Sequence, residues 1–258
     1  MYKILFITSL LLFSTICLSG AIPPKGYHLV WSDEFNGSQV DTTAWTFQTG
    51  DNGWGNNELQ YYTRGQNVAL KNGMLSLIVR KEAARYTSTR MITQHKRTFT
   101  YGWVEIRAKL PQGAGTWPAL WMLGNNIDSA GFPQCGELDI MEHVGKNPGF
   151  IHCAVHNPSE TDRNPYVGIR QINDPFHTFH LYAMEWTKEQ IRFLIDGKEV
   201  YRYRPAEKTA ANWPFDKPMF FIFNIAIGGS WSGPVTDPSI FPQQMDIDYI
   251  RVYQKNRQ

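Results

Sequence analysis

The sequence predicts an all-β fold, and three observations carry that reading. Apolar residues recur with a period of two along nearly the whole chain, the stretches patterned this way are short and separated by Gly, Pro and Asn, and helical periodicity is almost absent. Short strands with that punctuation build sandwiches or barrels. The 258 residues suit one domain, and 42% hydrophobic residues are enough to fill its core. A net charge of +2 lacks the basic stripe that nucleic acid asks for. Nine Trp, twelve Tyr and fifteen Phe make up 14% of the chain, a content that suits either packed strands or a surface that stacks on sugar rings.

Residues 1–21 stand apart from the rest. Lys3 precedes the apolar run Ile4 to Leu18, followed by the small residues Ser19-Gly20-Ala21 and the helix-breaking Ile22-Pro23-Pro24. That is the pattern of a secretory signal, and its apolar run is short for a membrane span. A lipid anchor at Cys17 is disfavoured, because Ile16 stands where a small residue is wanted. The expectation is a signal peptide over 1–21, one domain over 22–258, a secreted or periplasmic monomer, and no membrane attachment after cleavage. Cys135 and Cys153 remain, and strand rise separates them too far for a disulfide if 136–143 and 150–156 form a hairpin, so both are expected as free, mostly buried thiols.

Within the domain, Tyr27 to Phe35 and Met245 to Tyr253 read as strands that tie the two ends into the same sheets. Leu75, Leu77 and Val79 alternate just after Asn72-Gly73, and Ile191, Phe193 and Ile195 just before Asp196-Gly197, both strong hairpin-turn signals. Val104, Ile106, Ala108 and Leu110 alternate with Glu105, Arg107 and Lys109, and Phe179, Leu181 and Ala183 with His180, Tyr182 and Met184. Short helical turns fit only near Thr42 to Trp45 and Glu207 to Trp213.

The sharpest feature is Gly136-Glu137-Leu138-Asp139-Ile140-Met141-Glu142-His143. Side chains two apart share a strand face, so Glu137 and Asp139 point together, whereas Glu142 falls on the opposite face of a regular strand. One β-bulge around Ile140-Met141 reverses that parity and brings all three acids to one face. Crowded carboxylates repel, which favours a proton on one of them and leaves another ionised, the equipment of a general acid and a nucleophile. A retaining glycosidase needs such a pair. The spacing leaves two other readings open: a solvated strand face, and ligands for a hard cation such as calcium. His143, next to Glu142, faces away from it in an extended strand.

The same six residues, Glu137 to Glu142, resemble the signature of glycoside hydrolase family 16, in the form with one extra residue before the last Glu. Further segments are similar to the family in the same order: Trp54-Gly55-Asn56-Asn57-Glu58-Leu59-Gln60-Tyr61-Tyr62-Thr63, Gly115 to Leu123, Asn224 to Gly229, and Asp248 to Tyr253. The resemblance implies a β-jelly roll, two curved antiparallel sheets with the substrate across the concave one. It implies Glu137 as nucleophile, Asp139 as assisting acid and Glu142 as acid/base, with no cofactor for bond breaking. The bulged signature and the Trp54 segment point to the laminarinase branch, endo-acting on β-1,3-glucan. Mixed-linkage glucan, agarose or carrageenan as substrate, transglycosylation, and a non-catalytic glucan-recognition protein are the alternatives. The last usually lacks one of the acids, and here all three are present.

Trp121 and Trp117, which flank a Pro before the acidic strand, suit either sugar platforms or core packing, and Trp231 in its Gly-rich loop either the cleft rim or local packing; the resemblance adds His156 near the nucleophile and Asn57, Arg90 and Asn224 as polar cleft residues. Glu34, the Gly73 carbonyl and Asp248 correspond to a structural calcium site on the convex face. Trp103 departs from the family, where Arg is common; it either extends the sugar platform or fills the sandwich.

Overall fold

The structure is a computed structural model that describes residues 23–161 and 166–256, so the segment 1–21 expected as a signal peptide, with Cys17, lies outside the described residues. Two sheets, almost wholly antiparallel, pack face to face. One has seven strands in the order Val167–Gln171, Phe150–His156, Glu137–His143, Thr116–Gly124, Met219–Ile227, Arg90–Ile92 and Thr46–Gln48. The other has ten, with Gln243–Lys255 near its middle, paired to Gly102–Lys109, Leu75–Glu82 and Tyr27–Asp33.

The period of two decides what lies between the sheets. Val104, Ile106 and Ala108 of one sheet meet Leu120, Met122, Leu138, Phe221 and Phe223 of the other in a single buried cluster. The alternate residues face outward. On the ten-stranded sheet these include Trp103, which packs with Ala183 and Leu194 in a small outer cluster beside Tyr27 and Tyr253. Trp103 therefore neither extends a sugar platform nor fills the sandwich; it covers the face remote from the seven-stranded sheet's open side. Most of the aromatic excess is core, with Trp45, Trp186, Phe193 and Phe215 all fully buried. Buried indole N–H groups find partners: Trp45 Nε1 donates to Asp33 Oδ2 at 2.9 Å and Trp186 Nε1 to the Phe215 carbonyl at 3.1 Å.

Both predicted hairpin turns are present. Asn72 and Gly73 have φ of 57° and 68°, and Asp196 and Gly197 have 49° and 72°, the paired positive angles that match strand twist. The first strand ends at Asp33, two residues before the expected Phe35. Phe35 is turned aside at φ 49°, and its N–H is caught by Asp33 Oδ1 at 3.0 Å, which diverts the chain from the sheet. Cys135 and Cys153 are free and buried, as expected. Among the described residues the two α-helices, Ile127–Ala130 and Gly229–Ser232, are single turns.

Candidate active site

The strand Glu137–His143 lies near the middle of the seven-stranded sheet, and its pairing carries the predicted bulge. Toward one neighbour, Asp139 pairs with Ala154 but Glu142 with His152; toward the other, Asp139 pairs with Trp121 but Met141 with Leu120. Each ladder takes up one extra residue on this strand. The result is that Ile140 and Met141, adjacent in sequence, are both buried in the core, while Glu137, Asp139 and Glu142 all line a cavity of about 590 Å³ on the open face. The Cys153 thiol donates to the Ile140 carbonyl at 3.3 Å, occupying a backbone acceptor at the bulge. Gly136 leads into the strand at φ 77°; a Cβ there would meet Phe215 at 2.8 Å and Pro214 at 2.9 Å. His143 is buried on the far face, and its Nε2 accepts from the Gly149 N–H at 3.3 Å.

The acids are electrostatically linked. Burial, then the Asp139 charge, push Glu142 up to about 8, while a hydrogen bond from Trp117 Nε1 at 2.9 Å opposes the rise. Burial and Asp139 likewise raise Glu137, against the pull of His156 and Arg90. Such a pair holds a proton in common. His156 and Arg90 oppose the rise at Glu137, and His156 together with the Trp117 indole N–H opposes it at Glu142. His156 Nε2 sits 3.1 Å from Asp139 Oδ2, an ion-pair contact lacking full hydrogen-bond alignment, and 3.9 Å from Glu137 Oε1.

Two flanks complete the cavity. On one, the Arg90 guanidinium lies between the rings of Trp54, 5.1 Å, and Trp121, 4.8 Å, and its Nε donates to Gln48 at 2.6 Å. Trp121 Nε1 donates to Asn224 Oδ1 at 2.7 Å, Asn224 Nδ2 to the Tyr62 hydroxyl at 3.1 Å, and Tyr62 to Glu58 at 3.0 Å. On the other, Trp231 stands edge-on to Trp117 at 5.2 Å and to His152 at 4.9 Å. Ala119, Ala154 and Ala226 keep the floor low between these walls.

Of the expected contacts, Trp117, Trp121, Arg90, His156, Asn224 and Trp231 line the cavity. The indole N–H groups of Trp117 and Trp121 are spent on Glu142 and Asn224. Asn57 is a correction. It is exposed at φ 57° and donates to Ser230 Oγ at 3.3 Å, while its neighbours Asn56 and Glu58 line the cavity. The left-handed conformations at Trp54 and Asn57 break the simple alternation of the segment. Trp54, Glu58, Phe132, His152 and Glu160 are cavity residues that motif spacing did not single out.

The calcium expectation meets a different arrangement. Both oxygens of Glu34 accept from Arg251, at 2.9 and 2.8 Å, and Asp248 Oδ2 accepts from Arg107 at 2.6 Å. Calcium needs carboxylate oxygens free to converge on it. Here guanidinium groups already supply the positive charge, and the side-chain donor set as arranged does not fit the ion.

With this geometry in view, the likenesses to known proteins are specific. The model of glycosyl hydrolases family 16 matches residues 55–251. A β-glucanase from Rhodothermus marinus is 44% identical over 247 residues, covering 88% of this chain and 85% of that protein. The crystal structure of a laminarinase from Flavobacterium sp. UMI-01 superposes with a TM-score of 0.85 at 48% identity, covering 88% of this chain and all of that one. SCLam, a non-specific endo-β-1,3(4)-glucanase whose mutant was co-crystallised with 1,3-β-D-cellotriosyl-glucose, superposes with a TM-score of 0.86 at 38% identity, covering 91% and 97%.

Proposed function

The chain belongs to glycosyl hydrolases family 16 and is a glycosidase acting on β-1,3-glucan, and from that premise we propose that it cuts internal linkages by double displacement with retention of the anomeric configuration. The observation that carries this reading is the bulge, which delivers two carboxyl groups, those of Glu137 and Glu142, to one cleft from a single strand; in this reading Glu142 holds the proton and Glu137 is ionised. Glu142 gives its proton to the glycosidic oxygen as Glu137 attacks the anomeric carbon and the bond to the leaving sugar breaks. Water, giving its proton to the Glu142 carboxylate, then attacks that carbon and releases Glu137. Asp139, almost wholly buried between them, holds His156 beside the nucleophile. Faces of Trp121, Trp117 and Trp231 present apolar surface to sugar rings, suited to an uncharged glucan.

Laminarin is expected to be cut to short oligosaccharides whose new reducing ends are first seen by NMR as the β-anomer, with agarose and carrageenan untouched. Cleavage of agarose in place of laminarin would overturn the substrate reading. A second reading, that mixed β-1,3/1,4-glucan is also cut, is favoured by the likeness to SCLam; lichenan belongs in the same product profile. The apolar segment of residues 1–21 supports export of the enzyme.

The pH dependence follows from the acid. Glu142 works only while protonated, so activity is expected to fall as pH rises through about 8. The Trp117 hydrogen bond favours the ionised form, and its loss in Trp117→Phe raises the proton affinity of Glu142. The alkaline limb of kcat/KM is therefore expected to move to higher pH in that variant, measured on laminarin across pH 5 to 10. A limb that stays put or moves down would contradict this role for the indole.

A further inference from the structure

His156 is gripped at both ring nitrogens. Its Nε2 faces Asp139 and Glu137 of the catalytic strand, and its Nδ1 lies 2.6 Å from Glu160 Oε2. Glu160 follows the strand Phe150–His156 on a loop that is built to hold it. Asn157, 1% exposed, accepts from Ser159 N at 3.0 Å and Ser159 Oγ at 2.7 Å and donates to the Tyr203 hydroxyl at 3.1 Å. The Glu160 N–H donates to the Asn157 carbonyl at 3.1 Å. Among the described residues, the other groups near the ring are Phe132, uncharged at 6.4 Å, with Arg90 acting on Glu137 from the neighbouring strands and Glu142 further along the catalytic strand.

A neutral imidazole has one N–H and one lone pair, so between two carboxylates it would turn a lone pair toward an oxygen; only the imidazolium satisfies both ends. We propose that Glu160 is a positioning residue for the nucleophile: it holds His156 as an imidazolium with Nε2–H directed at Asp139 and Glu137, so that the attacking carboxylate keeps a positive neighbour. The inference rests on the reading in which Glu137 attacks. Electrostatics agree: burial opposes the charge on His156, but its contacts with Asp139, Glu137 and Glu160 outweigh it and push the ring up to about 11.

Glu160→Gln keeps a hydrogen-bond acceptor and removes the charge. His156 then binds its proton less tightly and loses it as pH rises within the working range. The expected result is an additional alkaline limb of kcat that follows the ring's own titration, falling about tenfold per pH unit above it, with KM for laminarin and the melting temperature near those of the wild type. Nitrogen-15 NMR of the ring should show His156 doubly protonated to above pH 9 in the wild type and titrating below that in Glu160→Gln. Glu160→Asp should restore much of the profile, and in a His156→Gln background Glu160→Gln should change nothing further. An unmoved limb and unmoved ring titration, a rise in KM alone, or the same effect in the His156→Gln background would overturn the inference. If the wild type fails to cut laminarin, or Glu137→Gln retains activity, it is the underlying reading of the site that fails instead.

Discussion

Glu137→Gln is expected to lower laminarin hydrolysis on the order of 10⁴-fold or more, because no covalent intermediate can form without the carboxylate. The amide has nearly the same shape, and removing one of three crowded acids relieves repulsion, so the melting temperature should hold or rise. Glu142→Gln is expected to cost about 10² to 10⁴-fold, the range for loss of a general acid. The two variants differ in rescue. An aryl β-glucoside oligomer with an acidic phenol leaves without proton donation, so its first step survives in Glu142→Ala, and azide then yields a β-glycosyl azide. In Glu137→Ala azide attacks in place of the missing nucleophile and yields the α-product. Near-normal laminarin activity in either Gln variant, or the opposite anomers, would defeat the assignment.

Deleting a single residue from the catalytic strand is expected to have opposite consequences on the two sides of Asp139. Without Met141, Glu137, Asp139 and Glu142 fall at i, i+2 and i+4, and the three acids still share a face with no bulge. That variant should fold and retain measurable cleavage, while losing a buried side chain at a cost of about 2–5 kcal/mol. Without Leu138, Glu137 and Asp139 become adjacent and one must turn into the core, where an unpaired carboxylate is far more costly than a cavity. That variant should fail to fold, read by loss of the cooperative melting transition. If both deletions behave alike, the bulge is not what sets the faces.

The parity of the acidic strand was legible because it depends only on a period of two and on the two adjacent apolar residues, Ile140 and Met141, that both needed a core to enter. The hairpin turns were legible for a similar reason: Asn-Gly and Asp-Gly tolerate paired positive φ, and nothing distant overrides them. What escaped spacing came from partners far apart in sequence or from irregular backbone. Arg251 reaches Glu34, and Arg107 reaches Asp248, across the ten-stranded sheet, and no local pattern announces either pair. Asn57, put forward on the resemblance and not on spacing, stays out of the cavity lining because the backbone around it leaves the extended conformation. Glu160 escaped because its role depends on Asn157 and Tyr203, which fix a loop no periodicity describes.

The pairing of Tyr27 with Lys255 has a consequence for how the enzyme comes into being. The strand Gln243–Lys255 is made after nearly everything else, yet it is the seam that Tyr27–Asp33, Leu75–Glu82 and Gly102–Lys109 all require. The larger sheet therefore stays open along its midline until that strand is in place, and a loop running from Tyr27 to Lys255 must close before it zips. Such non-local closure is slow.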